Sequence, residues 1–505
     1  MSLAHVHSRA LAGINAPAVT VEVHLSNGLP SLSIVGLPET AVKESKDRVR
    51  SAIINSGFEF PKRRLTINLA PADLPKDGGR FDLPIALGIL AASSQIDKDV
   101  LNDYEFFGEL SLSGTLQPVT GILPSVIQAS KQERRCIIPQ QNSTEASLAK
   151  EAPVYPANHL LSITQHLATG NTLHALDFED EAGLTSASYT TDLTEVKGQQ
   201  QAKRALEIAA AGQHSLIFIG PPGTGKSMLA ERLPGILPAM TEEEALETVA
   251  VLSLASNTTI TASQFYQRPY RAPHHTASSA ALVGGGSNPR PGEISLAHNG
   301  VLFLDELPEF DRKVLDSLRE PLESGKIIIS RAARQAEFPA NVQLIGAMNP
   351  CPCGYLGDTR HACSDTPDQI QRYRARLTGP FLDRVDLFIN VPRIAARELN
   401  NQQAGESSET VRERVRAARQ QQLDRAGTVN ARLKPAQMKS DCQLANDDEA
   451  LLIGAMERLG LSTRAHDRIL RVARTIADLD GAENIETAHL TEAINYRRYT
   501  RQFDH

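Results

Sequence analysis

Gly220-Pro221-Pro222-Gly223-Thr224-Gly225-Lys226-Ser227 fits the pattern G-x-x-x-x-G-K-[ST] at every fixed position. It follows the apolar run Ser215-Leu216-Ile217-Phe218-Ile219, which reads as a buried strand, and it opens a helix at Ser227–Arg232. That strand–loop–helix setting is the one the pattern requires. Glycine lets such a loop curl until its N–H groups face phosphate oxygens, and the helix N-terminus adds partial positive charge. The whole octapeptide, Gly220 to Ser227, is therefore assigned to a nucleoside triphosphate. Lys226 reaches the β- and γ-phosphates, and the Ser227 hydroxyl ligates Mg²⁺.

A second apolar run, Gly300-Val301-Leu302-Phe303-Leu304, ends in Asp305-Glu306. Carboxylates at the C-terminal edge of a parallel strand sit at the ligand crevice. Asp305 would hold Mg²⁺ through water, and Glu306 would polarise the attacking water. A third run, Val342–Ala347, stops just before Asn349. From about residue 195 strands thus alternate with longer helices, which predicts an α/β core with a parallel sheet.

The chain has 505 residues, 41% hydrophobic and 22% charged, which suits about three folding units at roughly 150 residues each. Residues 1–168 read as an α+β unit. Its strands are expected at Thr20–Leu25, Leu32–Val35 and Leu65–Leu69, with helices over 39–55 and Pro84–Ser93. Residues 169–194, poor in apolar side chains, read as a linker, 195–397 as the α/β core and 398–505 as a helical lid. The net charge of −7 advertises no global basic field, so any nucleic-acid contact must be local. No apolar run approaches the roughly 18 residues that span a bilayer, and Met1-Ser2-Leu3-Ala4-His5-Val6-His7 has no apolar signal core. Five cysteines make no disulfide scaffold. A cytoplasmic, reduced, membrane-free protein is expected.

These elements, in this order, resemble the AAA+ ATPases of the clade that holds magnesium chelatases, MoxR proteins and MCM helicases. The blocks Arg271-Ala-Pro-His-His-Thr276, Gly284-Gly-Gly286 and Pro291 to Phe310 are similar to the signature of the magnesium-chelatase-like ComM/YifB family, and the resemblance spans essentially the whole chain. It implies a P-loop ATPase that uses ATP and Mg²⁺ in a ring of six subunits. The DNA helicase of that family drives branch migration and the integration of incoming single-stranded DNA during natural transformation, so single-stranded and branched DNA, and recombination proteins, are the implied partners. The resemblance gives Asn349 the task of orienting the attacking water. Pro380-Phe-Leu-Asp-Arg-Val-Asp386 resembles the segment with a trans-acting arginine finger, which points to Arg384. Leu461-Ser-Thr-Arg464 resembles the sensor 2 helix start, which puts Arg464 on the nucleotide, and Val196-Lys-Gly-Gln199 resembles the segment that packs on adenine.

Related helicases carry a DNA-gripping hairpin before the strand that ends at the sensor asparagine. Gly325–Gln335 looks like that hairpin, which makes Lys326, Arg331 and Arg334 candidate phosphate contacts. An insertion at about 255–290 adds Arg268, Arg271, His274, His275 and Arg290. Cys351-Pro-Cys353 and Cys363 lie in one glycine-rich loop with His361 and Asp365, either of which completes a four-ligand structural zinc set; a loop without metal is the alternative. Pro75-Lys76-Asp77-Gly78-Gly79-Arg80 resembles the active-site turn of Lon-type proteases, whose unit has a ribosomal S5 domain 2-like fold. Lon places its nucleophilic serine where this chain has Arg80, which cannot attack a carbonyl, so a Lon-like fold without peptidase activity is implied. A chelatase motor subunit and a protein remodeller stand as the rival readings.

Overall fold

The computed structural model describes residues 2–74, 76–150, 152–170, 172–176, 189–255, 265–286, 289–331, 334–358, 360–394 and 405–499. The first unit is built on β1 (Ser2–Arg9), β2 (Ala18–Ser26), β3 (Ser31–Val35), α1 (Thr40–Asn55), β4 (Arg64–Ala70), α2 (Asp82–Ala92), β5 (Tyr104–Phe106), α3 (Ile122–Ser130), β6 (Arg135–Pro139), β7 (Val154–Ala157) and α4 (Leu160–Thr169). Its seven strands run in the order β3-β4-β2-β1-β5-β6-β7. β1 and β2 pair antiparallel from Ser2↔Leu25 to Arg9↔Ala18, and β5, β6 and β7 pair parallel. Helix α2 is buried at every position, and Gly88 lets it close on β2, since a Cβ there would meet a Val23 methyl at 2.5 Å. The expected elements all form here, and β1 is a strand that the sequence does not announce. Its inward residues are Ala4, Val6 and Ser8, too small and too mixed in polarity to give a clear alternation.

The α/β unit carries α5 (Gln200–Gly212), β8 (Leu216–Ile219), α6 (Lys226–Glu231), α7 (Glu242–Leu252), β9 (Tyr270–Arg271), β10 (Val301–Leu304), β11 (Lys326–Arg331), β12 (Arg334–Pro339), β13 (Gln343–Met348), α8 (Pro367–Arg374) and β14 (Leu387–Asn390). Five strands form one all-parallel sheet in the order β9-β10-β13-β8-β14. Both faces are covered, which is why the central strands read as unbroken apolar runs. Leu216, Phe218, Val301, Phe303 and Ile345 pack on one side with α5; Ile217, Ile219, Leu302, Leu304 and Leu344 pack on the other. Strands β11 and β12 leave this sheet as a separate antiparallel hairpin, paired from Lys326↔Pro339 to Arg331↔Arg334.

The carboxy-terminal unit is helical: α9 (Ser408–Ala426), α10 (Pro435–Asp441), α11 (Asn446–Leu459), α12 (Thr463–Leu479) and α13 (Thr487–Asn495). Val415, Leu452, Ile469 and Leu490 join the same core as Leu206 and Leu229, so this helical unit has no apolar core separate from that of the parallel sheet. The amino-terminal unit is fused to the α/β unit just as firmly. Phe107, Ile122, Leu123 and Val126 share a cluster with Met240, Ala245, Val249 and Phe265, and the Gly121 N–H donates to the Ser253 carbonyl at 3.3 Å. Gly13, in the left-handed region at φ 63°, lies flat on hairpin strand β12; a Cβ there would sit 2.3 Å from the Glu337 carbonyl oxygen. Among the described residues no helix is long and apolar enough to cross a membrane.

Candidate functional site

The loop between β8 and α6 is shaped by Gly223 and Gly225, at φ 74° and 91°, a region glycine enters without steric cost. Gly220 is pressed against β14: a Cβ would meet the Val391 carbonyl oxygen at 2.3 Å. Lys226, the first residue of α6, is buried. Its Nζ donates to the carbonyls of Gly220 at 2.6 Å and Pro221 at 2.9 Å and to Asn349 Oδ1 at 3.1 Å. Burial pushes its pKa down to about 8, against the opposing pull of Asp305 and then Glu306. The ammonium is thus stripped of water and held by neutral oxygens, the arrangement that a polyanion relieves.

Asp305 and Glu306 leave the C-terminal end of β10. Ser227 Oγ donates to Asp305 Oδ2 at 2.7 Å, and the Glu306 N–H donates to the other Asp305 oxygen at 2.8 Å. Glu306 has φ 50°, ψ 45°, left-handed backbone that a glutamate seldom occupies and that turns its carboxylate away from the strand direction. A cleft of 350 Å³ opens there, lined by Ser227, Tyr270, His275, Asp305 and Glu306 among others. His275 stands with Nδ1 3.1 Å from Glu306 Oε2, and its ring packs on His274 with centroids 4.1 Å apart. The structure thus draws His275 out of the expected DNA group and onto the expected catalytic carboxylate. The sequence signal was only its nearness to edge strand β9, which pairs with β10.

Val196 is buried. Three residues on, Gln199 Nε2 donates to the Thr224 carbonyl at 3.3 Å and the Pro392 carbonyl at 2.7 Å. Lys226, Ser227, Asp305, Glu306 and Asn349 are therefore brought together, with the Val196–Gln199 segment attached to the same loop.

Arg384 and Arg464 belong to a different edge. Arg384 is 9% exposed; it donates to the carbonyls of Arg319 and Pro380 and pairs with Glu323 at 2.7 Å. Within one chain this guanidinium is held by its own neighbours. Arg464 is exposed on the first turn of α12, whose cap Ser462 donates to Asp383 at 3.4 Å. Arg468, one turn on, pairs at 2.6 Å with buried Asp386, whose carboxyl is held far below its ordinary value despite burial by Arg468 and then His214. The sensor-like helix is thereby fixed to the Arg384 segment, so the two arginines share one edge.

The cations assigned to DNA divide sharply. Arg268 is buried, with donors spent on the carbonyls of Pro238 and Asn299, both at 2.7 Å, and on Glu244 at 2.9 Å. It ties α7 to the strand beside it, and its candidacy as a phosphate contact is overturned. Arg271 is part-exposed and makes a two-pronged pair with Glu293 at 2.6 and 2.8 Å. Lys326 is half exposed at the base of the hairpin, 3.3 Å from Glu337 across the ladder. Arg331 and Arg334 are the last pair of that ladder, directly opposite in register. Their side chains, with residues 256–264, 287–288 and the hairpin tip at 332–333, lie outside the described residues.

Cys351, Cys353 and Cys363 converge with Sγ–Sγ separations of 3.4, 3.6 and 3.5 Å, and Asp365 joins them. His361 instead stacks on Tyr355, ring centroids 4.9 Å apart.

Three family profiles match the chain in succession: "Subunit ChlI of Mg-chelatase" over residues 21–142, "Magnesium chelatase, subunit ChlI" over 192–399 and "Magnesium chelatase, subunit ChlI C-terminal" over 405–497. The chain is 55% identical to the competence protein ComM of Haemophilus influenzae, covering 99% of this chain and 98% of that one. It is 51% identical to YifB of Escherichia coli, an uncharacterized protein, over 100% of this chain and 99% of that one. The magnesium-chelatase 38 kDa subunit of Cereibacter sphaeroides is 25% identical over 60% of this chain and 90% of its own length.

Proposed function

The chain belongs to the magnesium-chelatase-like AAA+ family, in the branch of ComM and YifB, and from that premise we propose that it is an ATP-driven hexameric DNA translocase that promotes branch migration. What supports the reading is the convergence of Lys226, Ser227, Asp305, Glu306 and Asn349, while Arg384 makes its contacts away from them, with Glu323 and the carbonyls of Arg319 and Pro380, and the helix that carries Arg464 is tied to the Arg384 segment through Ser462 and Asp383. A site split in this way is complete only when a second subunit brings its arginine edge to the first subunit's phosphates, which suits a ring.

The residues fit Mg²⁺ and ATP. Ser227 and Asp305 already share a hydrogen bond, so their oxygens stand where one cation meets both, and the dehydrated Lys226 waits for an anion. When bound, Mg²⁺ neutralises charge on the phosphate oxygens. Lys226 exchanges its three oxygen acceptors for phosphate oxygens. Glu306 takes the proton of the attacking water, Asn349 orients that water, and His275 keeps the Glu306 carboxylate aimed. Arg384 gives up Glu323 and turns to the neighbour's γ-phosphate, where its delocalised charge matches three oxygens. Arg464 serves the same nucleotide from the lid.

Hydrolysis moves the β11–β12 hairpin against DNA. Arg331 and Arg334 are register partners at the outer end of its ladder, where a phosphate strand would meet two cationic residue types. The amino-terminal unit we read as Lon-like and without peptidase chemistry. Its buried Arg80 donates to the carbonyls of Thr120 at 2.8 Å and Arg9 at 3.2 Å, and buried Lys76 donates to the Pro71 carbonyl. The experiment is unwinding of a three-strand junction by wild type, Lys226→Ala and Glu306→Gln. Wild type resolves the junction with ATP, Lys226→Ala does not, and Glu306→Gln binds nucleotide without turning it over. Resolution independent of ATP would refute the motor. Turnover stimulated by a porphyrin-binding partner and indifferent to DNA would favour the chelatase reading.

A further inference from the structure

The cysteine loop is too well formed to be only a turn. The three sulfurs make a nearly equilateral triangle, with sides of 3.4, 3.6 and 3.5 Å. Tetrahedral zinc with bonds of about 2.3 Å holds its sulfurs about 3.8 Å apart, so one ion at the centre needs only small outward shifts. All four candidate ligand atoms, including an Asp365 oxygen, lie within 4.8 Å of one another. The backbone supports anionic ligands: the Leu356 N–H points to Cys351 Sγ at 3.4 Å, and the Cys353 N–H donates to Asp365 at 2.8 Å. His361 is engaged with Tyr355, so Asp365 is the fourth ligand. Four protein ligands leave no open position, which makes the site structural.

Its placement gives it a task. Cys351 is two residues from Asn349, whose side chain accepts from Lys226. Gly354, at φ 84°, lies against the phosphate loop, where a Cβ would meet Pro222 Cδ at 2.8 Å. Arg374 donates to the Pro350 carbonyl at 3.3 and 3.2 Å. Arg393 spans the gap, pairing with Asp358 at 3.1 Å and donating to the Pro222 carbonyl at 3.3 Å.

We propose that Cys351, Cys353, Cys363 and Asp365 bind one zinc ion, and that this knuckle holds Asn349 and the phosphate loop in register for nucleotide. Binding releases three thiol protons and leaves a centre of net charge −2. The metal site stands on its own geometry; its effect on nucleotide rests on the ATP site proposed above.

The test begins with zinc content of the full-length chain as purified, released by a mercurial and read with a colorimetric chelator. One zinc per chain is expected, and near none in Cys351→Ser/Cys363→Ser. Loading the stripped chain with Co²⁺ should give thiolate charge-transfer and tetrahedral d–d bands. Asp365→Ala should shift those bands and weaken zinc affinity roughly tenfold or more, while His361→Ala leaves both unchanged. Circular dichroism reports whether each chain stays folded. Stripped but folded chain should bind a fluorescent ATP analogue about tenfold more weakly, with recovery on adding zinc.

Absence of zinc together with an octahedral cobalt spectrum overturns the site. Full zinc occupancy with nucleotide affinity unmoved by stripping overturns the clamp. Lys226→Ala is the separate control: it should lose nucleotide while keeping its zinc. A wild-type chain that holds zinc yet binds no nucleotide would refute the ATP site and leave the metal site standing.

Discussion

Lys226 makes nucleotide affinity depend on pH in one direction. Loss of hydration pulls its pKa to about 8 in the nucleotide-free chain, and the attraction of Asp305 and Glu306 does not make up the difference. A bound triphosphate adds several negative charges at the same point and restores the ammonium to its ordinary range. The charged form is then favoured on binding, so association takes up a proton wherever the free lysine has lost one. Affinity is therefore flat below pH 8 and falls above it. With a free pKa of about 8, about one chain in eleven carries the charge at pH 9, and the dissociation constant rises about tenfold over its value at pH 7. Calorimetry at pH 7, 8 and 9, in two buffers of different ionisation enthalpy, measures both the affinity and the proton taken up. Equal affinities at pH 7 and 9 with no proton uptake would show that Lys226 is fully charged before nucleotide arrives, and the reasoning from burial would be wrong.

His275→Ala should lower kcat by roughly ten- to a hundredfold with nucleotide affinity held within about twofold, because a misaimed base costs rate and not binding. His275→Asn keeps a donor near the Nδ1 position and should recover most of the loss in a steady-state ATPase assay; unchanged kcat in the alanine variant would remove His275 from the site. Arg268→Ala should destabilise the chain by about 3–5 kcal/mol, since Glu244 and two buried carbonyls lose their donor, and denaturant titration followed at α7 checks it. Arg331→Ala and Arg334→Ala should each weaken DNA binding and reduce the slope of log affinity against log salt by about one, read by fluorescence anisotropy; an unchanged slope would take the hairpin tip off the strand.

The candidate nucleotide site was legible in the sequence because its parts are local. Eight consecutive residues make the phosphate loop, and an apolar strand carries its two carboxylates at its end. Arginines were harder, because a cation looks the same whether its partner is DNA or a carboxylate folded back from elsewhere. Glu293 lies 22 residues from Arg271, and the carbonyls that hold Arg268 come from Pro238 and Asn299, on either side of it in sequence. Glu323, which pairs with Arg384, is more remote still from it along the chain. The choice between Asp365 and His361 as neighbours of the cysteines was open for the same reason: both are close in sequence, and only the path of the loop separates them. Strand β1 escaped notice because Ala4 and Ser8 fill inward positions where larger apolar side chains would have declared the period.

Gly13 lies against the carbonyl of Glu337, and Glu337 faces Ile328 in the ladder. A lever is only as good as its fulcrum. If the hairpin moves as proposed, any load met by its outer end is returned, through a contact too tight for a methyl group, into a seven-stranded slab that shares apolar packing with α7. A bulky residue in place of Gly13 would then leave the proposed stroke with nothing to push against.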